Sequence, residues 1–318
     1  MSTVGVEEEE TKYFSKDFEW ETLRQEIENN PSYRHHLLPF APLPSESQRP
    51  QTQDSAAWQR FHLRHSSGKF FKARAKVFVE GVPRASLFPR WGRFGSWVRQ
   101  WQFCYSNPTC FCSGNKDIVV YACDCSNETL ERARENVDSS NVVAGQARFR
   151  TFCCDFAATG FPRWLVYDKK DGSPNDRDGL SSVGGVDFVT MVMFLFLIFF
   201  IIFTLSAVPL KRMPAAIMEC FSVLKPGGLL LFRDYGLYDM TMLRFEPDKR
   251  VGFREYMRSD GTRSYFFCLD AVRNLFAAAG FNELELEYCC VMSVNRQKGK
   301  SMRRVWVHGK FQKPLTQC

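Results

Sequence analysis

MPAAIMECFSVLKPGGLLLFRDYG, residues 213–236, contains a helix, a stop and a strand in immediate succession. Met213 to Leu224 spaces its apolar residues for a helix, Lys225-Pro226-Gly227-Gly228 ends it and turns the chain, and Leu229 to Arg233 is an apolar run of strand length. The same alternation extends in both directions. Upstream, Ile118 to Cys123 reads as a strand, Glu128 to Val137 as a helix, and Ala147 to Cys153 and Val186 to Met191 as strands. Downstream, Asp270 to Ala279 reads as a helix, and Glu283 to Val291 with Arg304 to Phe311 as a closing antiparallel pair. Strands alternating with helices predict an α/β fold: a mostly parallel sheet with helices on both faces. Ligands on such sheets bind beyond the carboxyl ends of the strands, so the loop residues there carry the functional weight.

The 318 residues are 45% hydrophobic and 24% charged, the composition of a globular chain with one substantial core. Residues 1–56 read as an acidic and aromatic amino-terminal segment, with a short helix within 12–38 and a Pro-, Ser- and Gln-rich linker from Pro42 to Ala56. Residues 57–318 read as one folded domain. The net charge of +7 combines an acidic start, Glu7 to Glu10, with a basic remainder, which permits a phosphate-rich partner. Nothing at the amino terminus has the basic and then apolar plan of a signal peptide, so the twelve cysteines read as free thiols in a reducing compartment. Cys110/Cys112, Cys123/Cys125, Cys153/Cys154 and Cys289/Cys290 lack the two-residue spacing of zinc ligands, so no metal is expected.

Asp124 follows the first of these strands and Asp155 the second. A carboxylate there can accept two hydrogen bonds from ribose hydroxyls. A helix N-cap or turn aspartate is the bland alternative for either one. Two in the right strand order favour a site. The run Leu231-Phe232-Arg233-Asp234-Tyr235-Gly236-Leu237-Tyr238-Asp239 places a cation, an acid and an aromatic ring at a strand exit, and Arg258-Ser259-Asp260-Gly261-Thr262-Arg263-Ser264-Tyr265-Phe266-Phe267 repeats that mixture on a turn. Exposed arginines and Asp-Gly turns are also common features of ordinary surfaces.

The order Tyr-Ala-Cys-Asp, Leu-Ser-Ala-Val, Val-Leu-Lys-Pro-Gly, Phe-Arg-Asp-Tyr-Gly-Leu-Tyr-Asp and Arg-x-Asp-Gly-Thr-Arg-x-Tyr-Phe-Phe resembles the tRNA N3-methylcytidine methyltransferases. The likeness covers Trp58 to about Lys72 and Asn115 to Pro314. It implies a class I, Rossmann-like methyltransferase domain that uses S-adenosyl-L-methionine and acts on a cytidine of the tRNA anticodon loop. It implies further that the amino-terminal segment with Trp58, Phe61, His62, Phe70, Phe71 and Lys72 lies over the cofactor, with His62 standing where the family usually has Tyr. Asp124 would hold the ribose, Asp155 and Phe156 would flank the adenine, and Ile202 would lie beneath it. Arg233, Asp234 and Tyr235 would hold the cytosine, Asp234 at its pairing edge and Tyr235 stacked on its ring. Lys69, Lys72, Arg74, Arg258, Arg263 and Tyr265, with Arg296, Lys298, Lys300, Arg303 and Arg304, would follow the tRNA, contributing affinity more than sequence choice. A protein that helps select the tRNA, and a cytoplasmic or nuclear location, complete the expectation.

Two stretches depart from the family. A class I methyltransferase needs a glycine-rich turn after its first strand, because side chains there would meet the methionine part of the cofactor. Residues 77–112 have no Gly-x-Gly-x-Gly and carry Trp91, Trp97 and Trp101 among arginines and cysteines. Written as codons and read one nucleotide later, Trp97 to Cys104 can become Gly-Cys-Gly-Asn-Gly-Ser-Ser-Val, and Val77 to Leu87 can become a second family-like string. Two matches in one frame point to a frame slip or a mis-assigned splice site. The other departure is Phe188 to Val208, uncharged and long enough to cross a bilayer. It lacks amino-terminal anchors, and the family strand would pass from Met191 straight to Ile202. Residues 192–201 therefore read as an apolar insertion, of the kind a retained intron gives, and not as a membrane span. A small-molecule or protein methyltransferase, and a non-catalytic variant chain, stay open as alternatives.

Overall fold

The computed structural model describes residues 17–40, 56–57, 60, 120–128, 130–131, 134–135, 149–166, 185–192, 205–295 and 300–315. Strand β1 (Val120–Asp124) runs parallel to β2 (Phe149–Cys153), in register from Val120↔Phe149 to Asp124↔Cys153. Strand β3 (Val186–Val192) runs parallel to β4 (Leu224–Tyr235). A small antiparallel sheet follows, made of β5 (Arg250–Gly252), β6 (Glu255–Met257) and β7 (Arg263–Tyr265). The chain closes with β8 (Asn282–Asn295) and β9 (Lys300–Gln312), which complete a mixed sheet in the order β3-β4-β9-β8. The architecture is α/β, with two parallel pairs and an antiparallel edge, as the alternating pattern led us to expect. The closing pair is longer than its apolar runs suggested because cross-strand pairing continues to Asn295↔Lys300.

The helix and strand of residues 213–235 meet differently from the expectation of a turn between them. Their helix spans Met213–Val223 and buries Met213, Ala216, Ile217, Cys220 and Val223 along one face. Pro226 disfavours helical backbone at Lys225, and the chain leaves the helix directly into β4 at Leu224. Leu224 pairs with Val186 and Leu229 with Phe188, so Lys225 to Gly228 form a bulge opposite Asp187. Gly227 sits at φ +80°, where a side chain would be strained, and its amide donates to the Lys313 carbonyl at 2.9 Å. Lys313 in turn donates through Nζ to the carbonyls of Phe221 and Leu224, each at 2.7 Å, satisfying the end of the helix. The carboxyl-terminal strand thus locks the bulge. At the other end β3 extends to Val192, which pairs with Arg233, so the first residue of the apolar stretch belongs to the sheet. Residues 193–201 lie outside the described residues.

In chain order the described helices are α1 (Trp20–Glu28), α2 (Arg34–Leu37), α3 (Phe156–Thr159), α4 (Met213–Val223), α5 (Met240–Leu243) and α6 (Leu269–Ala278). Residues in 127–135 that are described are also helical, where the second helix was expected. One core cluster joins α4 and α6 to the sheet through Phe232, Phe276 and Phe311, the last two rings stacked 4.0 Å apart. A second cluster gathers Tyr235, Leu237, Met242, Tyr256, Phe266, Val305 and Trp306 around Leu23 and Ile27 of α1.

The amino-terminal segment, distinct in composition, is therefore built into the domain's packing. Trp20 Nε1 donates to the Leu237 carbonyl at 3.2 Å, Tyr238 Oη donates to Glu28 at 3.0 Å, and Arg303 pairs with Glu26 at 2.6 Å. His36 Nδ1 lies 2.7 Å from Tyr256 Oη, which fixes α2 against β6.

At the start of α5, Asp239 is fully buried and holds three donors. Its Oδ1 accepts from the Thr241 amide at 2.8 Å, and its Oδ2 accepts from Arg304 Nε at 2.8 Å and the Val305 amide at 2.9 Å. Removing one member of a buried ion pair strands the other charge. Asp239→Ala should lower the unfolding free energy in urea by about 3–5 kcal/mol; a change within the scatter of surface substitutions would show that Arg304 finds another partner.

Candidate functional site

The carboxyl ends of β1, β2 and β4 carry the acids singled out in the sequence. Asp124 is the last residue of β1 and is 2% exposed. Its Oδ1 accepts from the Ser126 amide at 2.8 Å, while its Oδ2 is buried without a hydrogen-bond partner. A turn residue would need the first oxygen only; the second is a buried acceptor left without a hydrogen-bond partner among the described residues. Burial raises the Asp124 carboxyl to about 7, against the pull of the Ser126 amide.

Asp155 follows β2 and occupies the position before α3, yet its side chain makes no capping bond to that helix. The bland N-cap reading does not describe it. It lines a cleft of about 500 Å³ with Cys125, Cys153, Cys154 and the loop Thr159 to Pro162, a volume in the range of small-molecule sites. Phe156 is buried in the core beneath that cleft, with its ring stacked 4.8 Å from that of Phe161, which lines it.

At the exit of β4, Asp234 is 0% exposed and accepts from the Ser206 amide at 2.8 Å and the Tyr235 amide at 2.7 Å. The first bond joins the Arg-Asp-Tyr segment to Leu-Ser-Ala-Val, two stretches far apart in the chain. Burial raises Asp234 to about 7 despite those two amides. Tyr235 is also fully buried, with one ring face against Trp306 at 5.2 Å and 12°. That face is closed to a stacked base. Its hydroxyl is buried without a partner and is pushed up to about 12 by burial, an effect opposed by the charges of Arg258 and Arg304. Arg304 also has a buried, unpartnered Nη2, and its guanidinium lies over Trp306 at 4.7 Å and Tyr235 at 5.9 Å. Arg233 approaches the same Trp306 ring at 5.1 Å. Tyr235 Oη, Arg304 Nη2 and the guanidinium of Arg233 gather around Trp306 and make a polar nest at the strand exit, next in sequence to the buried Asp234.

The β6–β7 hairpin forms one wall. Asp260 Oδ1 accepts from the Thr262 amide at 2.9 Å and hydroxyl at 2.7 Å, which shapes the turn between Arg258 and Arg263. A Cβ on Gly261 would lie 3.5 Å from that of Ala57, so this turn meets the chain just before Trp58. Arg263 pairs with Glu255 at 3.3 Å and is 18% exposed, while Tyr265 is packed against Phe267 in the core. Both hold the hairpin, and Arg258 is the half-buried cation it presents. Arg303 and Arg304, expected along an RNA backbone, are instead paired with Glu26 and Asp239, because the long closing hairpin turns them toward α1 and α5. Trp58, His62, Lys69, Lys72, Arg74 and Ile202 lie outside the described residues, as do residues 77–112. Sequence reading placed Arg304 along the RNA and not at the exit of β4; the sign of the latter was its place opposite that exit in an antiparallel pair.

No protein-family profile matches the chain. It is 40% identical over 182 residues to O-methyltransferase 3 of Dictyostelium discoideum and 35% identical over 198 residues to human tRNA N(3)-cytidine methyltransferase METTL6. These matches span 57% and 62% of this chain but only 36% and 59% of the relatives' own lengths. Against tRNA N(3)-cytidine methyltransferase METTL2 of Xenopus tropicalis, identity is 31% over 293 residues, covering 86% of this chain and 82% of the relative. The chain belongs to the tRNA N(3)-cytidine methyltransferase family. Its α/β architecture is the one that the motifs implied, and the singled-out acids lie at the carboxyl ends of its parallel strands. Among the described residues, no group of three or more His, Cys, Asp or Glu side chains could hold a metal, and no helix is long and apolar enough to cross a membrane.

A carboxyl raised by burial holds a proton in the folded chain that the unfolded chain has lost. The stability linked to it is fully present below the unfolded value near 3.9 and is lost as pH rises through about 7. Asp124→Asn should therefore flatten the fall of the urea midpoint between about pH 4 and about pH 7 in ligand-free protein. An unchanged slope would mean that Asp124 is as well solvated in the folded chain as in the unfolded one.

Proposed function

We propose that the chain is an S-adenosyl-L-methionine-dependent methyltransferase that modifies N3 of an anticodon-loop cytidine in tRNA. The observation that carries this reading is the buried, half-satisfied Asp124 at the end of β1 in a chain of this family. Its free oxygen suits a ribose diol, and the cleft beside Asp155 and Phe156 suits an adenine. When bound, S-adenosyl-L-methionine supplies an electrophilic methyl group.

Cytosine N3 carries its own lone pair, so no residue has to remove a proton before transfer. The task of the chain is orientation. Asp234 can meet the exocyclic amine at the pairing edge, and the unused donors Tyr235 Oη and Arg304 Nη2 suit an oxygen of the same nucleotide. Arg233 and Arg258 keep the nest positive. Loop RNA allows the base to be unstacked at low cost. Lys69, Lys72 and Arg74 supply sequence-independent affinity, Ile202 and the Trp58–His62 segment close on the cofactor, and a helper protein selects among tRNAs in the cytoplasm or nucleus.

Asp234→Ala and Tyr235→Phe should each lower methyl transfer to unmodified tRNA at least tenfold, the cost of about one hydrogen bond to a charged or buried group, while leaving cofactor affinity within twofold. Parallel loss of both properties would place these residues in the cofactor pocket or the core.

A second reading, a family member without working catalysis, is favoured by one observation: Trp97, Arg99, Gln100 and Trp101 stand where glycines are needed. The chain as written should then bind S-adenosyl-L-methionine more weakly, and turn over far more slowly, than a form in which residues 97–104 read Gly-Cys-Gly-Asn-Gly-Ser-Ser-Val. Calorimetry and tritiated methyl transfer on both forms, each soluble and monodisperse, check this; equal affinity and turnover would show that residues 77–112 build a cofactor loop of another kind.

A further inference from the structure

The cleft beside Asp155 has a floor that neither family likeness nor strand-end chemistry accounts for. Its loop, Thr159 to Pro162, follows the single-turn helix α3, which is too short to hold its own exit rigid. Glu219, on α4, reaches across to it. Its Oε2 accepts from the Phe161 amide at 2.8 Å. Its carboxylate also fills the space that a side chain at Gly160 would take: a Cβ there would come within 3.0 to 3.2 Å of Oε2, Cδ and Oε1. Gly160 stands at φ +76°, a conformation open to glycine at little cost, and its carbonyl accepts from Cys154 Sγ at 3.2 Å. Phe161, fixed in this way, carries the ring stacked on Phe156. The carboxylate on α4, the bare backbone of Gly160, the Phe161 amide and the stacked pair form one continuous support under the cleft.

We propose that Glu219 is a positioning residue for the adenine half of the cofactor, acting through Gly160 and Phe161 and not by touching the ligand. This rests on the reading of the cleft as an adenine site. The part played by Glu219 is that of an acceptor: it holds the loop by one hydrogen bond and by close contact, and needs no charge for either. A glutamine keeps the acceptor and the bulk. An alanine loses both.

Adenosine is the probe, because it lacks the methionine part that a glycine-rich turn would meet. Calorimetric titration of the full chain with adenosine should give saturable binding, weakened about tenfold by Glu219→Ala, as expected for loss of one hydrogen bond together with the close contact, and changed less than twofold by Glu219→Gln. Hydrogen exchange of the Phe161 amide should accelerate in the alanine variant and remain slow in the glutamine one. Gly160→Ala, whose methyl group would displace the carboxylate, should weaken adenosine to a similar degree. Combined with Glu219→Ala it should add less than the sum of the two, because the space is then free. If the alanine variant does not fold, Gly160→Ala against wild type carries the same test.

Binding by wild type that neither Glu219→Ala nor Gly160→Ala alters would overturn the role of Glu219 and leave the cofactor reading standing. Weakening by the glutamine variant equal to that by alanine would overturn the acceptor role. No binding by wild type would overturn the adenine assignment of the cleft and this proposal with it.

Discussion

A carboxylate taken out of water is tolerated only where donors replace its lost hydration. Three such groups organise the carboxyl-end side of this protein, and they form a graded series. Asp239 meets a guanidinium and two amides, Asp234 meets two amides, and Asp124 meets one. The fully satisfied acid is structural. It ties α5 to β9 and sets the guanidinium of Arg304 over Trp306 and Tyr235. Asp124, whose Oδ2 has no hydrogen-bond partner among the described residues, is the acid that a ligand would complete, and burial raises both it and Asp234 to about 7.

Strand β4 is the element through which these groups communicate. It pairs with β3 as far as Arg233 and with β9 as far as Tyr235, so its exit residues are covered by β9 and by the α1 docking surface. Packing of Leu23 and Ile27 against Tyr235 and Trp306 couples the amino-terminal segment to the polar nest. Displacing α1 would uncover aromatic surface and loosen the ring that carries the unpartnered hydroxyl. The bulge at Lys225 to Gly228 works at the other end: the four residues looped out opposite Asp187 let an apolar strand follow a helix without a separate turn, and Lys313 from the carboxyl-terminal segment closes the helix end.

Much of this was legible beforehand because local pattern and local chemistry agree. The apolar spacing of Met213 to Val223, the Pro-Gly-Gly punctuation and the β-branched and aromatic runs specify helices, strands and their order through steric preference and the need to bury one face. The placing of Asp124 and Asp155 at strand ends, and the Arg-Asp-Tyr segment at the exit of β4, follow from that order alone. What the linear pattern could not express is which polar atoms remain unmatched after folding. Tyr235 read as an open ring because aromatic residues at loop entrances often are; Trp306, separated in sequence and brought alongside by antiparallel register, covers one face. Arg304 read as a cation following the tRNA backbone, and the closing hairpin pairs it with Asp239. The amino-terminal helix read as a separate segment because its composition differs from the rest, whereas its burial depends on a complementary surface assembled from β4, β6, β8 and β9. Sequence by itself determined the class of fold, the strand order along the chain and the strand-end acids, since these arise from near-neighbour periodicity and backbone sterics. Only the tertiary structure decided which acids are satisfied, which donors are left over and what supports the cleft, because hydrogen-bond satisfaction depends on groups that the chain brings together from distant positions.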